Sequence, residues 1–166
     1  MASIYIVSFM PYAIIYSTEC TQKKGGNMIE ITMAVLADSA NVSQEGKLNI
    51  LGIFENINAQ NFPVTHPTMA LVLCFHAERG DMNREHNIVI DFVDDDGHKI
   101  LDLKGSVKIG EAPPGERFKS NQIIFFNGVQ FPKPGVYEFK IIINGEERSS
   151  VPITAKKITI SPESIP

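Results

Sequence analysis

Cys74 and His76 stand two residues apart in "TMALVLCFHAE". On an extended chain that spacing points both side chains to one face. A thiol beside an imidazole can act as nucleophile and base, or as half of a metal site. Joined by His66 and an aspartate, the pair would furnish a small hydrolase or a metal-dependent enzyme. The plainer reading is an apolar thiol and a surface histidine on one strand. No second Cys/His pair with ligand spacing accompanies them, and no cofactor is expected.

Asp94, Asp95 and Asp96, with Asp91 just upstream, form the densest acidic cluster. Several carboxylates on a sandwich loop can hold calcium. Three aspartates before Gly97 also make a solvated hairpin tip, which is the reading preferred here, so no metal ligand is assigned. His66 lies in "FPVTHP", an extended connection stiffened by prolines. "GEAPPGERF", Gly110 to Phe118, has neither the Gly-Lys-Ser/Thr ending nor the following helix of a phosphate loop. It reads as a rigid surface connection. Asp38 and Asn41 read as turn formers whose side chains bond nearby backbone. Asp38, Asn41, Pro113, Pro114 and Glu116 are therefore the candidate binding residues, on two loops, Asp38 to Gln44 and Gly110 to Phe118. A Ser-His-Asp spacing, a pair of catalytic glutamates and a nucleotide fingerprint are all missing.

The elements that must position these residues follow from composition and pattern. The 166 residues are 43% hydrophobic and 20% charged, enough for one globular domain. A net charge of −4, with no Lys or Arg run longer than a pair, argues against a nucleic-acid partner. Two cysteines, Cys20 and Cys74, build no disulfide framework and fit a reducing, cytoplasmic compartment.

The first 27 residues read as an extension outside the domain. Ile4 to Tyr16 is apolar but shorter than the ~20 residues of a membrane helix. It lacks the basic start of a signal peptide. "KKGGNM" back-translates into a purine-rich ribosome-binding sequence just before Met28, as in an over-extended bacterial gene. The start is mis-assigned, or residues 1–16 are a short anchor or export signal, the one case in which a membrane would be involved; a third alternative makes the segment a structural part of the domain.

From Met28 the chain is strand-like. "TMALVLCFHAE" is apolar on both parities and reads as a central strand. "DDG" and Asn144-Gly145 are hairpin signals. Turns recur about every dozen residues, which predicts an all-β fold, an antiparallel β-sandwich of about eight strands spanning residues 28–160. Residues 161–166 read as a polar tail. The expected inner positions include Leu71, Leu73, Phe75, Ile88, Ile90, Phe92, Ile123, Phe125, Tyr137, Phe139, Ile141 and Ile143.

Two stretches carry a resemblance. Ala37-Asp38, Gly46 to Gly52 ("GKLNILG"), Phe62-Pro63 and His66-Pro67 resemble the opening of a family of uncharacterised bacterial domains. "FPKPGVYEFKIIINGEE" is similar to the last hairpin of immunoglobulin-like sandwiches. The resemblance implies an immunoglobulin-like fold and a bacterial origin, and it implies no activity.

The expectation is thus a non-enzymatic binding module that meets another protein through loops at one end of the sandwich. The terminal strand, Val151 to Ile160, reads as an edge protected by Pro152, Lys156 and Lys157.

Overall fold

The computed structural model describes residues 3–8, 29–114 and 116–159. The reading of residues 1–2, 9–28 and 160–166, and of Gly115, lies outside them. Among the described residues ten strands are formed: β1 (Ser3–Ser8), β2 (Glu30–Val42), β3 (Leu48–Ile53), β4 (Asn56–Ala59), β5 (Val64–Ala77), β6 (Glu85–Asp94), β7 (Lys99–Lys108), β8 (Phe118–Phe131), β9 (Gly135–Ile143) and β10 (Glu146–Lys157). A single 3-10 turn, Arg79–Asp81, separates β5 from β6. Among the described residues no helix is long and apolar enough to cross a membrane.

The strands make two five-stranded sheets, β1-β8-β5-β2-β3 and β4-β10-β9-β6-β7, packed face to face as an all-β sandwich. The eight strands expected from Met28 onward are all formed. The additional two are β1, laid antiparallel on β8 with Ser3 opposite Asn127, and β4, split from β3. Phe54 and Glu55 carry the chain from the first sheet to the second. Phe54 N–H still donates to Leu36 O, while Glu55 O accepts from Thr154 N–H.

The terminal strand is not an edge, contrary to the sequence reading. β10 lies between β9 and β4, and β4 pairs with it in parallel, from Asn56 opposite Thr154 to Ala59 opposite Lys157. The two lysines therefore guard no free edge, while Pro152 lies before the β4 ladder begins. The edges are β1 and β3 in one sheet, β4 and β7 in the other.

The core is aromatic at its centre. The Phe92 ring stacks on Phe139 at 4.4 Å and on Tyr137 at 5.6 Å, and Phe131 meets Tyr137 edge-on at 5.1 Å. The buried Tyr137 hydroxyl donates to Lys133 O at 2.6 Å, so its polar end is satisfied inside the "PKPG" turn. Leu71, Leu73 and Phe75 share this core, as do Ile88, Ile90, Ile141 and Ile143.

On β8 the expected parity is reversed. Ile124 and Phe126 face the core, while Ile123 and Phe125 join a second cluster with Ala70 and Val72 on the opposite face. "QIIFFN" is apolar at both parities, so pattern alone cannot choose. Pairing decides, because Leu71 stands opposite Ile124 and Val72 opposite Ile123.

Candidate functional site

β5 carries three of the candidate groups. His66 is eight residues before Cys74, which on an extended strand separates them by about 26 Å. His76 lies further still toward the strand's far end. Cys74 and His76 therefore neighbour each other, and His66 stands apart from both. Burial, with no cationic neighbour to offset it, pushes the Cys74 thiol up from its ordinary value. A raised thiol is protonated at neutral pH and is a poor nucleophile or metal ligand.

His66 belongs to a different constellation. Its ring lies against Phe54, with ring centres 5.4 Å apart. Burial lowers its pKa, outweighing the Asp38 charge and a hydrogen bond with the Thr68 backbone, both of which act to raise it. The imidazole is thus neutral at pH 7 and able to accept a proton. The neighbouring Thr68 hydroxyl is committed elsewhere, donating to Asn127 Oδ1 at 2.9 Å. Gly52 makes room for Asp38, because a Cβ at Gly52 would stand where the Asp38 carboxylate lies. Residues distant in sequence, Asp38, Gly52, Phe54 and His66, are thereby gathered where the chain leaves the first sheet for the second.

Asp38 and Asn41 lie within β2 rather than on a loop, contrary to expectation. Asn41 stands opposite Asn49 of β3 and accepts its side-chain N–H at 2.8 Å. The loop proper is the short turn that follows, where Ser43 N–H donates to Lys47 O and Lys47 N–H donates to the Ser43 hydroxyl. Pro113 and Glu116 form a turn, with Glu116 N–H donating to Pro113 O across Pro114. The two regions do not share one end of the sandwich. The Gly110 to Phe118 connection enters β8 where Phe118 pairs with Ala77, whereas β2 runs away from that end, from Glu30 opposite His76 to Ala37 opposite Ala70 and onward to the turn.

At the β6–β7 hairpin, Asp94, Asp96 and His98 bring one ligand atom each within 4.8 Å of one another. The local chemistry already balances this charge. Lys133 Nζ pairs with Asp96 at 2.8 Å and Asp95 at 3.0 Å, and these bonds hold the ammonium far above the usual lysine range. Desolvation opposes ionisation of Asp94. Hydrogen bonds from the His98 and Asp96 backbone outweigh it and keep the carboxyl below its ordinary value. Of the three groups, only Asp96 is paired with this lysine.

Sequence reasoning missed two features. Asp81 is fully buried, with neither carboxylate oxygen hydrogen-bonded, and His86 Nε2 approaches its Oδ1 at 4.0 Å. The Asn144 side-chain amide donates to His86 Nδ1 at 2.9 Å, which leaves the ring proton on Nε2, facing Asp81. His86 has the parity of Ile88 and Ile90, a signal that would have placed it inside. The second feature is on β3, where Leu51 is 72% exposed and Ile53 60% exposed on an edge strand. Nothing in "LNILGI" announces that exposure.

A family model described as a family of unknown function, DUF6941, matches residues 32–156. The chain belongs to this family. The DUF6941 match takes in β2 to β10 nearly whole and leaves β1 outside. No curated protein matches the chain. Among solved structures, one similar chain is a Pseudomonas fluorescens alkylpurine DNA glycosylase, AlkC, bound to DNA containing an abasic site analog. Identity is 13% and the TM-score 0.39, over 80% of this chain and 31% of that one. At that level the likeness says nothing about function, and the DUF6941 chain spans under a third of the glycosylase.

Proposed function

We propose that this protein is a non-enzymatic binding module of the bacterial cytoplasm, and that it meets a protein partner along the β3 edge. One observation carries the reading. Leu51 and Ile53 are the most exposed large apolar side chains among the described residues, and both sit on a strand with one unpaired edge. Such an edge offers backbone hydrogen bonds for affinity and apolar side chains for specificity. The Asp38, Phe54 and His66 group lies at the end of the same strand and supplies a polar and aromatic flank. The hydrolase alternative finds no such support, since His66 stands far from Cys74 and the thiol is held protonated.

Capture of partner proteins by the full chain tests the reading. Leu51→Ser with Ile53→Ser should abolish retention. Pro113→Ala with Glu116→Ala, at the opposite end, should leave it intact. Retention lost only with the second pair would return recognition to the loops. Turnover that vanishes in a folded Cys74→Ser chain would establish the enzyme instead.

A further inference from the structure

We propose that Asn144 is a site of spontaneous deamidation, and that His86 and Asn87 govern its rate by clamping the side-chain amide. The chain contains two Asn-Gly pairs, Asn127-Gly128 and Asn144-Gly145. A glycine after asparagine leaves the next peptide nitrogen unshielded by any side chain, and that nitrogen can attack the asparagine amide carbon. The two pairs sit in different settings. Asn127 lies inside β8, opposite Thr68 on one side and Ser3 on the other, so ladders hold its backbone extended. Asn144 and Gly145 are exposed and form the turn between β9 and β10, with φ of +52° and +84°. A turn has the freedom that a ladder denies, so the reaction falls on Asn144.

In the folded chain the Asn144 amide is held at both ends. Its Oδ1 accepts from the Asn87 N–H at 3.0 Å, which fixes which way round the amide lies. Its Nδ2 then donates to His86 Nδ1 at 2.9 Å. Behind the side chain, the Asn144 N–H donates to Asn87 O at 2.9 Å. For the reaction Cγ must swing onto the Gly145 nitrogen, and both side-chain bonds must break first. The Gly145 N to Asn144 Cγ bond then forms, the Cγ–Nδ2 bond breaks, and ammonia leaves with the proton that Gly145 N gives up. Water opens the cyclic imide at either carbonyl, to aspartate or to isoaspartate. An aspartate sets a carboxylate oxygen against the His86 Nδ1 lone pair, two acceptors face to face. An isoaspartate adds an atom to the main chain of a tight turn. Either product loses the bond to His86, beside Asp81, whose buried carboxylate has no hydrogen-bond partner. The reaction therefore records how often the β9–β10 turn opens.

Peptide mapping by mass spectrometry of the full chain, kept folded at mildly alkaline pH, tests this. Conversion should appear at Asn144 before Asn127, and more slowly than in the same chain unfolded in urea. His86→Leu removes the acceptor for Nδ2 and should speed conversion of the folded chain about tenfold, roughly the worth of one hydrogen bond. His86→Asn returns an acceptor near the Nδ1 position and should restore the slow rate. In urea both variants should match the native chain. Conversion of the folded chain first at Asn127 overturns the proposal. So does a rate at Asn144 that is the same folded as in urea, or equal rates in folded His86→Leu and His86→Asn. If the variants do not fold, the comparison of the native chain folded and in urea decides alone.

Discussion

The Asp38 carboxylate occupies the space where a side chain at Gly52 would begin. Gly52 also holds a left-handed φ of +67° one residue before β3 ends, a conformation that glycine adopts without steric cost. Gly52→Ala should therefore meet two penalties, backbone strain and collision with Asp38, and lower stability by about 1–3 kcal/mol. Urea unfolding measures it. In an Asp38→Ala background the loss should shrink to the backbone part alone. An equal loss in both backgrounds would mean that Asp38 simply moves aside.

His66 makes stability depend on pH in a known direction. Its folded pKa lies below the ordinary 6.5, so the unfolded chain binds the proton more readily. The contribution is fully present above pH 6.5 and is lost as pH falls toward the folded value. Thermal midpoints between pH 8 and pH 5 should fall less steeply for His66→Phe than for the native chain. Parallel curves would show that the imidazole accepts its proton without cost in the folded state.

The β6–β7 hairpin should ignore calcium as long as Lys133 is present. Calcium or a chelator should leave the thermal midpoint of the native chain unmoved. In Lys133→Ala, Asp95 and Asp96 lose their cation, and calcium should then raise the midpoint measurably. A calcium response in the native chain would make Asp94, Asp96 and His98 a metal site despite the lysine.

The ladder between β1 and β8 runs over six residues, from Ser3 opposite Asn127 to Ser8 opposite Gln122. A chain that begins at Met28 should unfold at a lower midpoint, at about 2–4 °C for each kcal/mol lost. Equal midpoints would support the reading of residues 1–27 as an extension outside the domain. Sequencing the native N-terminus would settle which start the cell uses.

Much of the fold was legible in the chain itself. Alternating apolar residues, Gly97 and Asn144-Gly145 specify strands and hairpins through contacts only a few residues long, and those are physical constraints that sequence carries directly. Val136 to Ile143 returns as β9 with the expected parity because its outward positions include Glu138 and Lys140, while Tyr137, Phe139 and Ile141 fill the core. On β8 the parity could not be read, since both faces are apolar and the choice rests on pairing with β5. The terminal strand is a further case. Two lysines look like edge protection, yet β4 arrives from nearly a hundred residues upstream to cover Thr154 to Lys157. The candidate site divides in the same way. Residue type marked Asp38 and His66 as worth weighing, but their approach depends on where β2, β3 and β5 are laid side by side. The exposure of Leu51 and Ile53 depends on strand order, because an edge exists only relative to the neighbours a sheet happens to have, and on the face each presents, since Leu48 and Ile50 of the same strand pack against the second cluster.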